Sequence, residues 1–88
     1  MDNVFNLTII TPECEFFMGD VVLLNCETTE GRMGILPHHS ALIAGLVPTI
    51  TRFEEADGKN HEAKTSGGIL KVRKNKVSIL CDTAEWVE

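Results

Sequence analysis

An all-β fold, a sandwich or barrel, is what this sequence predicts, and three observations carry the prediction. Apolar residues recur at every second position through most of the chain. Clusters of Gly, Pro, Asn and Asp punctuate it about every eight to twelve residues. No stretch long enough for a helix of three turns shows the 3.6-residue period of an amphipathic helix.

The elements follow in order. Phe5, Leu7 and Ile9 alternate with Asn6 and Thr8 as a half-buried strand, which Thr11-Pro12 closes. Glu13 to Met18 forms a second short run around Phe16 and Phe17, and Gly19-Asp20 reads as a tight turn into Val21 to Asn25. After the Thr28-Thr29-Glu30-Gly31 turn, Arg32 to Leu36 reads as a strand that Pro37 stops, because proline cannot donate to a ladder. Ser40 to Leu46 reads as a loop or short irregular strand, and Ala41 to Leu46 is the one place where a helical turn would fit. Thr49 to Phe53 and Asn60 to Thr65 flank Asp57-Gly58, a strong hairpin signal. Beyond Ser66-Gly67-Gly68, Ile69 to Val72 and Val77 to Cys81 flank a Lys74-Asn75-Lys76 turn, and a last short segment ends at Trp86. The count is nine or ten strands of about five residues each.

With 88 residues, the chain reads as a single domain, 1–88, with one core and no room for a large catalytic cleft. Its net charge of −5 argues against a nucleic-acid partner, since phosphate binding needs clustered Lys and Arg. Lys71, Arg73, Lys74 and Lys76 do cluster, but around a turn, where they read as a solvated basic tip. No apolar stretch approaches the roughly 20 residues of a membrane span and no signal peptide opens the chain, so a soluble, non-exported domain is expected. Cys14, Cys26 and Cys81 lack CxxC spacing and fall in strand-like runs, which predicts reduced thiols acting as small core hydrophobes.

A search for chemistry returns little. Neighbouring strand residues point to opposite faces, so His38 and His39 are not expected to share a metal, and His61 stands apart; no metal is predicted. Nucleotide-binding and hydrolase motifs are missing, and no cysteine sits beside a cation that would activate it, so no cofactor and no catalytic residue are expected. Asp82, Glu85 and Glu88 read as a solvated face. Four Phe, one Trp and no Tyr give little to stack on a sugar.

One segment stands out by composition, Thr28 to Ser40, and within it lies the run Thr29-Glu30-Gly31-Arg32-Met33-Gly34-Ile35-Leu36-Pro37-His38-His39. That run resembles the TEGxxGILPxH signature of the epsilon subunit of F-type ATP synthases. Ser66 to Val72 is similar to that family's SGGxLxV, Val77 to Glu85 to VTVLADTAE, and Leu7 to Thr11 with Glu15 to Gly19 to its opening strands. The four stretches keep order and spacing across essentially the whole chain.

The resemblance implies a ten-stranded β-sandwich of two five-stranded sheets. It implies a non-catalytic rotor subunit of the central stalk that couples the gamma shaft to the membrane c-ring in proton- or sodium-driven ATP synthesis. The chain would meet the membrane only through the ring, peripherally on the cytoplasmic face of the bacterial cell membrane. Carried over residue by residue, Glu30, Gly31 and Arg32 fall at the c-ring contact, and Thr11, His39 and Ala44 at the gamma contact. Departures are Arg32, where many members are acidic, His38, where glycine is common, and Ser40-Ala41 in place of Ala-Pro. Family members continue past the DTAE stretch into two regulatory helices, whereas this chain stops at Glu88, so coupling without inhibition of hydrolysis is the expectation. The isolated domain is expected to be a monomer. The alternatives are a free-standing β-sandwich ligand-binding module, which would need a concave aromatic face, and a metal or thiol enzyme, which would need His38 or His39 to converge with Cys26 or His61.

Overall fold

The structure, a computed structural model, describes residues 3–87. Nine strands run through them: β1 (Phe5–Ile10), β2 (Glu15–Thr28), β3 (Gly31–Ile35), β4 (Leu42–Leu46), β5 (Thr49–Glu55), β6 (Asn60–Thr65), β7 (Gly68–Arg73), β8 (Lys76–Cys81) and β9 (Ala84–Trp86). The long strand β2 serves two sheets. Its first half pairs with β1, and its second half pairs with β3 and β5. One sheet is therefore β3-β2-β5-β6-β9 and the other β2-β1-β8-β7-β4, with β1 and β8 parallel and every other pairing antiparallel. Counting β2 once in each sheet gives the two five-stranded layers that the resemblance implies.

Alternation supplies the core. Phe5, Leu7 and Ile9 from β1, Leu70 and Val72 from β7, Val77 and Ile79 from β8, and Leu24, Cys26, Ile35 and Phe53 from the other sheet are buried together. Each large side chain so removed from water contributes about 1.5–3 kcal/mol. Buried Thr51 and Thr65 satisfy each other through a 2.9 Å hydroxyl hydrogen bond across β5 and β6. At one margin of the core, Phe16 stacks on Trp86 and Phe53 on His61, whose ring is hydrogen-bonded to Glu55.

Four expectations are corrected. Gly19-Asp20 is not a turn: both residues lie within β2, opposite Leu7 and Asn6, and the Phe17 ring fills the space beside Gly19. Ala41 to Leu46 contains no helical turn, because Leu42–Leu46 pairs along β7. Cys14 is exposed, in a bend that Thr11 closes, while Cys26 and Cys81 are buried as expected. His38 and His39 lie in the β3–β4 connection, not on a strand, and His38 has φ +66°. That left-handed backbone is one that glycine adopts without strain and a side-chain-bearing residue adopts at a cost. Of the acidic residues near the C-terminus, Asp82 and Glu85 are exposed, and Glu88 lies outside the described residues.

Two sequence landmarks meet at the start of β7. The Ser66 hydroxyl accepts hydrogen bonds from the backbone N–H groups of Asp82 (2.9 Å) and Thr83 (3.1 Å), so the Ser-Gly-Gly stretch holds the Asp-Thr-Ala-Glu stretch. Gly68 passes so close to β8 that a Cβ there would lie 1.9 Å from the Leu80 carbonyl oxygen. Only glycine fits.

Candidate docking surface

The β2–β3 hairpin builds the first candidate region. Its two-residue turn is Thr29-Glu30, and Thr28 organises it: the buried hydroxyl donates to the Gly31 carbonyl at 2.9 Å and accepts from the Glu30 N–H at 3.1 Å. Gly31 has φ +120°, a conformation essentially confined to glycine. The Thr29 N–H donates to the Gly45 carbonyl at 3.0 Å, which ties the turn to β4. The result is a fixed apex from which the Glu30 side chain projects into solvent.

Arg32 behaves differently from its neighbours at the tip. Register sets it opposite Glu27, and its guanidinium donates to the Glu27 carboxylate (3.4 Å), the Thr49 hydroxyl (3.2 Å) and the Ile50 carbonyl (3.4 Å). Its charge is thus matched within the domain, and Glu30 is the charge presented at the apex. An exposed pair of this kind is worth about 0–1 kcal/mol. Arg32 also slightly opposes the burial that pushes the Cys26 thiol up to about 11. Burial likewise raises Cys81, reinforced by Asp82 and opposed by the Ser66 hydrogen bond. Buried, neutral thiols of this kind are poor nucleophiles.

Glu30, Gly31, Arg32 and Ala44 line one groove of about 410 Å³ between the hairpin and β4. Ala44 stands on the inward parity of β4, opposite buried Leu70, and the outward residue beside it is Ile43, which is 73% exposed. Thr11 belongs elsewhere. It is buried, its hydroxyl is engaged with the Cys14 backbone, and it rims a second concavity with Ile10, Ile69 and Leu80. His39 sits outside both concavities, with Nδ1–H donating to the Ser40 carbonyl at 2.7 Å, which leaves Nε2 the acceptor in the neutral ring. The structure therefore joins four of the six expected contact residues and separates Thr11 and His39 from them.

Sequence reading missed the exposed apolar row Ile10, Leu80 and Ile69, adjacent in register across β1, β8 and β7. Parity was the available signal, since Ile69 and Leu80 share the outward side with Lys71 and Ser78. Among the described residues no group of three or more His, Cys, Asp or Glu could hold a metal, and no helix is long and apolar enough to cross a membrane.

The chain is a two-layer β-sandwich with a hydrogen-bonded, charged hairpin apex and open apolar surface. Residues 4–87 match the family model of the ATP synthase delta/epsilon chain beta-sandwich domain, and the chain belongs to that family. It is 49% identical over 88 residues to an ATP synthase epsilon chain of Clostridium novyi, covering all of this chain and 67% of that one. With the epsilon chain of Clostridium acetobutylicum it shares 45% identity over 86 residues, 98% of this chain and 65% of the relative. It thus spans about two thirds of the length of the curated relatives it matches. A chain in the Euglena gracilis mitochondrial ATP synthase, solved as OSCP/F1/c-ring in rotational state 1, matches with a TM-score of 0.91 and 26% identity over 98% of this chain and 55% of its own. One from the central stalk and c-ring of the Tetrahymena thermophila mitochondrial ATP synthase shares the fold, with a TM-score of 0.75 at 19% identity over 90% of this chain and 63% of that one.

Proposed function

We propose that this chain is a single β-sandwich domain acting as a non-catalytic part of an F-type ATP synthase rotor, coupling a gamma shaft to a c-ring in proton- or sodium-driven ATP synthesis. One observation carries the reading: the family match spans residues 4–87 and so includes the hairpin whose hydrogen-bonded apex presents Glu30. In this role Glu30 meets a basic group on a ring loop, Gly31 lets the two backbones approach, and Arg32 braces the hairpin against β5 through Thr49 and Ile50. Thr11, His39 and Ala44 mark the gamma side, where the more exposed Ile10 and Ile43 supply contact area beside them. No single exposed pair transmits torque, so coupling rests on a broad complementary contact. The complex lies peripherally on the cytoplasmic face of a bacterial cell membrane.

Co-elution with the same organism's gamma subunit on a sizing column tests the reading. A one-to-one complex weakened by His39→Ala and unaffected by Glu30→Arg is expected. Absence of any complex between folded partners would overturn it.

A further inference from the structure

The outward side of β7 and β8 carries half of the chain's cations. Lys71, Arg73 and Lys76 alternate with buried Leu70, Val72 and Val77, and Lys74 stands on the turn between the strands. Without these four, 4 basic residues face 13 acidic ones in the rest of the chain. The ion pairs of the described residues involve Arg32, Arg52 and His61, and none of these four. Asp20 is the carboxylate nearest in register, two strands from Lys76 across Asn6.

Two features of this row work against stability. Arg73 lies directly opposite Lys76, and like charges in that position repel. Lys74 has φ +50° in a two-residue turn where Gly or Asn is the ordinary choice. The turn is nonetheless held in place, because Asn75 accepts from the His38 N–H at 2.7 Å and donates to the Val4 carbonyl at 2.8 Å. An acidic chain could relieve the repulsion with one glutamate at position 73. A solvated tip needs neither the opposed cations nor the fixed turn, whereas a binding surface uses both.

About 7 Å further along the strands, the same face becomes apolar. Ile69, Leu80 and Ile10 stand side by side, and Ile43 lies beside Lys71 on β4. Free phosphates have no use for the apolar row. Bilayer interfaces are met by Trp and Phe, and β7 and β8 carry neither. An acidic segment with an apolar flank fits both rows at once.

We propose that the outward face of β7 and β8 is an electrostatic docking site for an acidic, amphipathic segment of the stalk partner, with carboxylates on Lys71, Arg73, Lys74 and Lys76 and aliphatic side chains on Ile69, Leu80 and Ile10. The proposal rests on the stalk reading above and adds to it the chemistry that the partner must present.

Stopped-flow association with the same organism's gamma subunit tests it, using the wild type, Arg73→Glu, and the triple variant Lys71→Glu/Arg73→Glu/Lys76→Glu at low and high salt, each with a thermal melt. The wild type should associate roughly tenfold more slowly at high salt, and the triple variant about 10- to 100-fold more slowly than wild type at low salt, with a flat salt response. Arg73→Glu should bind more slowly yet melt a few degrees higher, since it turns a cross-strand repulsion into an attraction; misfolding would lower the melt instead. A triple variant with wild-type rate and salt response overturns the docking site and leaves the stalk reading standing. A wild type that does not bind gamma overturns both. Loss of binding to phosphatidylglycerol vesicles or to tripolyphosphate, with gamma association unchanged, also overturns the proposal and reassigns the row to anionic lipid or phosphate.

Discussion

The two tight hairpins of this domain flank opposite ends of β4: Thr28 pairs with Leu46 at one end and Val72 with Leu42 at the other. Built at the same scale, they solve different problems. In the β2–β3 hairpin the strained position is a glycine, the one strand cation faces a carboxylate, and a threonine hydroxyl bridges the turn. Every local choice there favours one shape. In the β7–β8 hairpin both turn residues are left-handed and neither is glycine, and two cations oppose each other across the strands. Local stability is lower there than the backbone allows. The contrast separates a tip built to hold a form from one that retains charge at some expense in stability.

The largest effect is expected at the first hairpin. Gly31→Val places a β-branched residue at φ +120° and should cost about 3 kcal/mol, lowering Tm by more than ten degrees in a calorimetric melt. If the melt hardly moves, the apex is not fixed as described. Next comes the support of the second hairpin. Asn75→Ala removes two hydrogen bonds and the residue best suited to the left-handed turn, with an expected loss of about 2 kcal/mol in urea unfolding. The remaining changes should stabilise. Lys74→Asn relieves the backbone by about 0.5–1 kcal/mol, and Arg73→Glu gains up to about 1 kcal/mol across the strands. A loss of stability in both variants would contradict the contrast between the hairpins.

The thiols give a further test, on the core and not on its edges. Cys26 is raised above its ordinary value by burial, so the unfolded chain ionises first as pH rises. Its contribution is fully present below about pH 9 and declines between about 9 and 11, as the unfolded state loses protons that the folded state keeps. Cys26→Ala should flatten that alkaline decline in unfolding experiments. In the native protein a thiol reagent should modify Cys14 at once and reach Cys26 and Cys81 only on unfolding.

Much of the fold was legible because its signals are local. Period-two alternation marked β1, β5, β7 and β8, and Asp57-Gly58 and Lys74-Asn75 marked their turns. Errors arose where a distant strand decides. Gly19-Asp20 carries a turn composition, yet β1 supplies a ladder partner for each residue and keeps the strand running. For the same reason β2 could not be seen as one strand shared by two sheets. Glu30 and Gly31 were placed at the tip from a motif, and the structure sets them there. Arg32 was assigned with them, but its partners Thr49 and Ile50 lie 17 and 18 residues away, beyond what spacing reveals. Ala44 comes from a motif position, which does not report that its neighbour Ile43 is the residue facing water.

Photocrosslinking in the assembled complex reports directly on whether the β2–β3 apex meets the c-ring as part of the coupling contact. A benzophenone amino acid replaces Glu30 in the membrane-bound ATP synthase, and the adducts are mapped by mass spectrometry. An apex contact with the ring predicts adducts to the polar loops of the c-subunits. Efficient crosslinking to any other chain, with no c-subunit adduct, would contradict it.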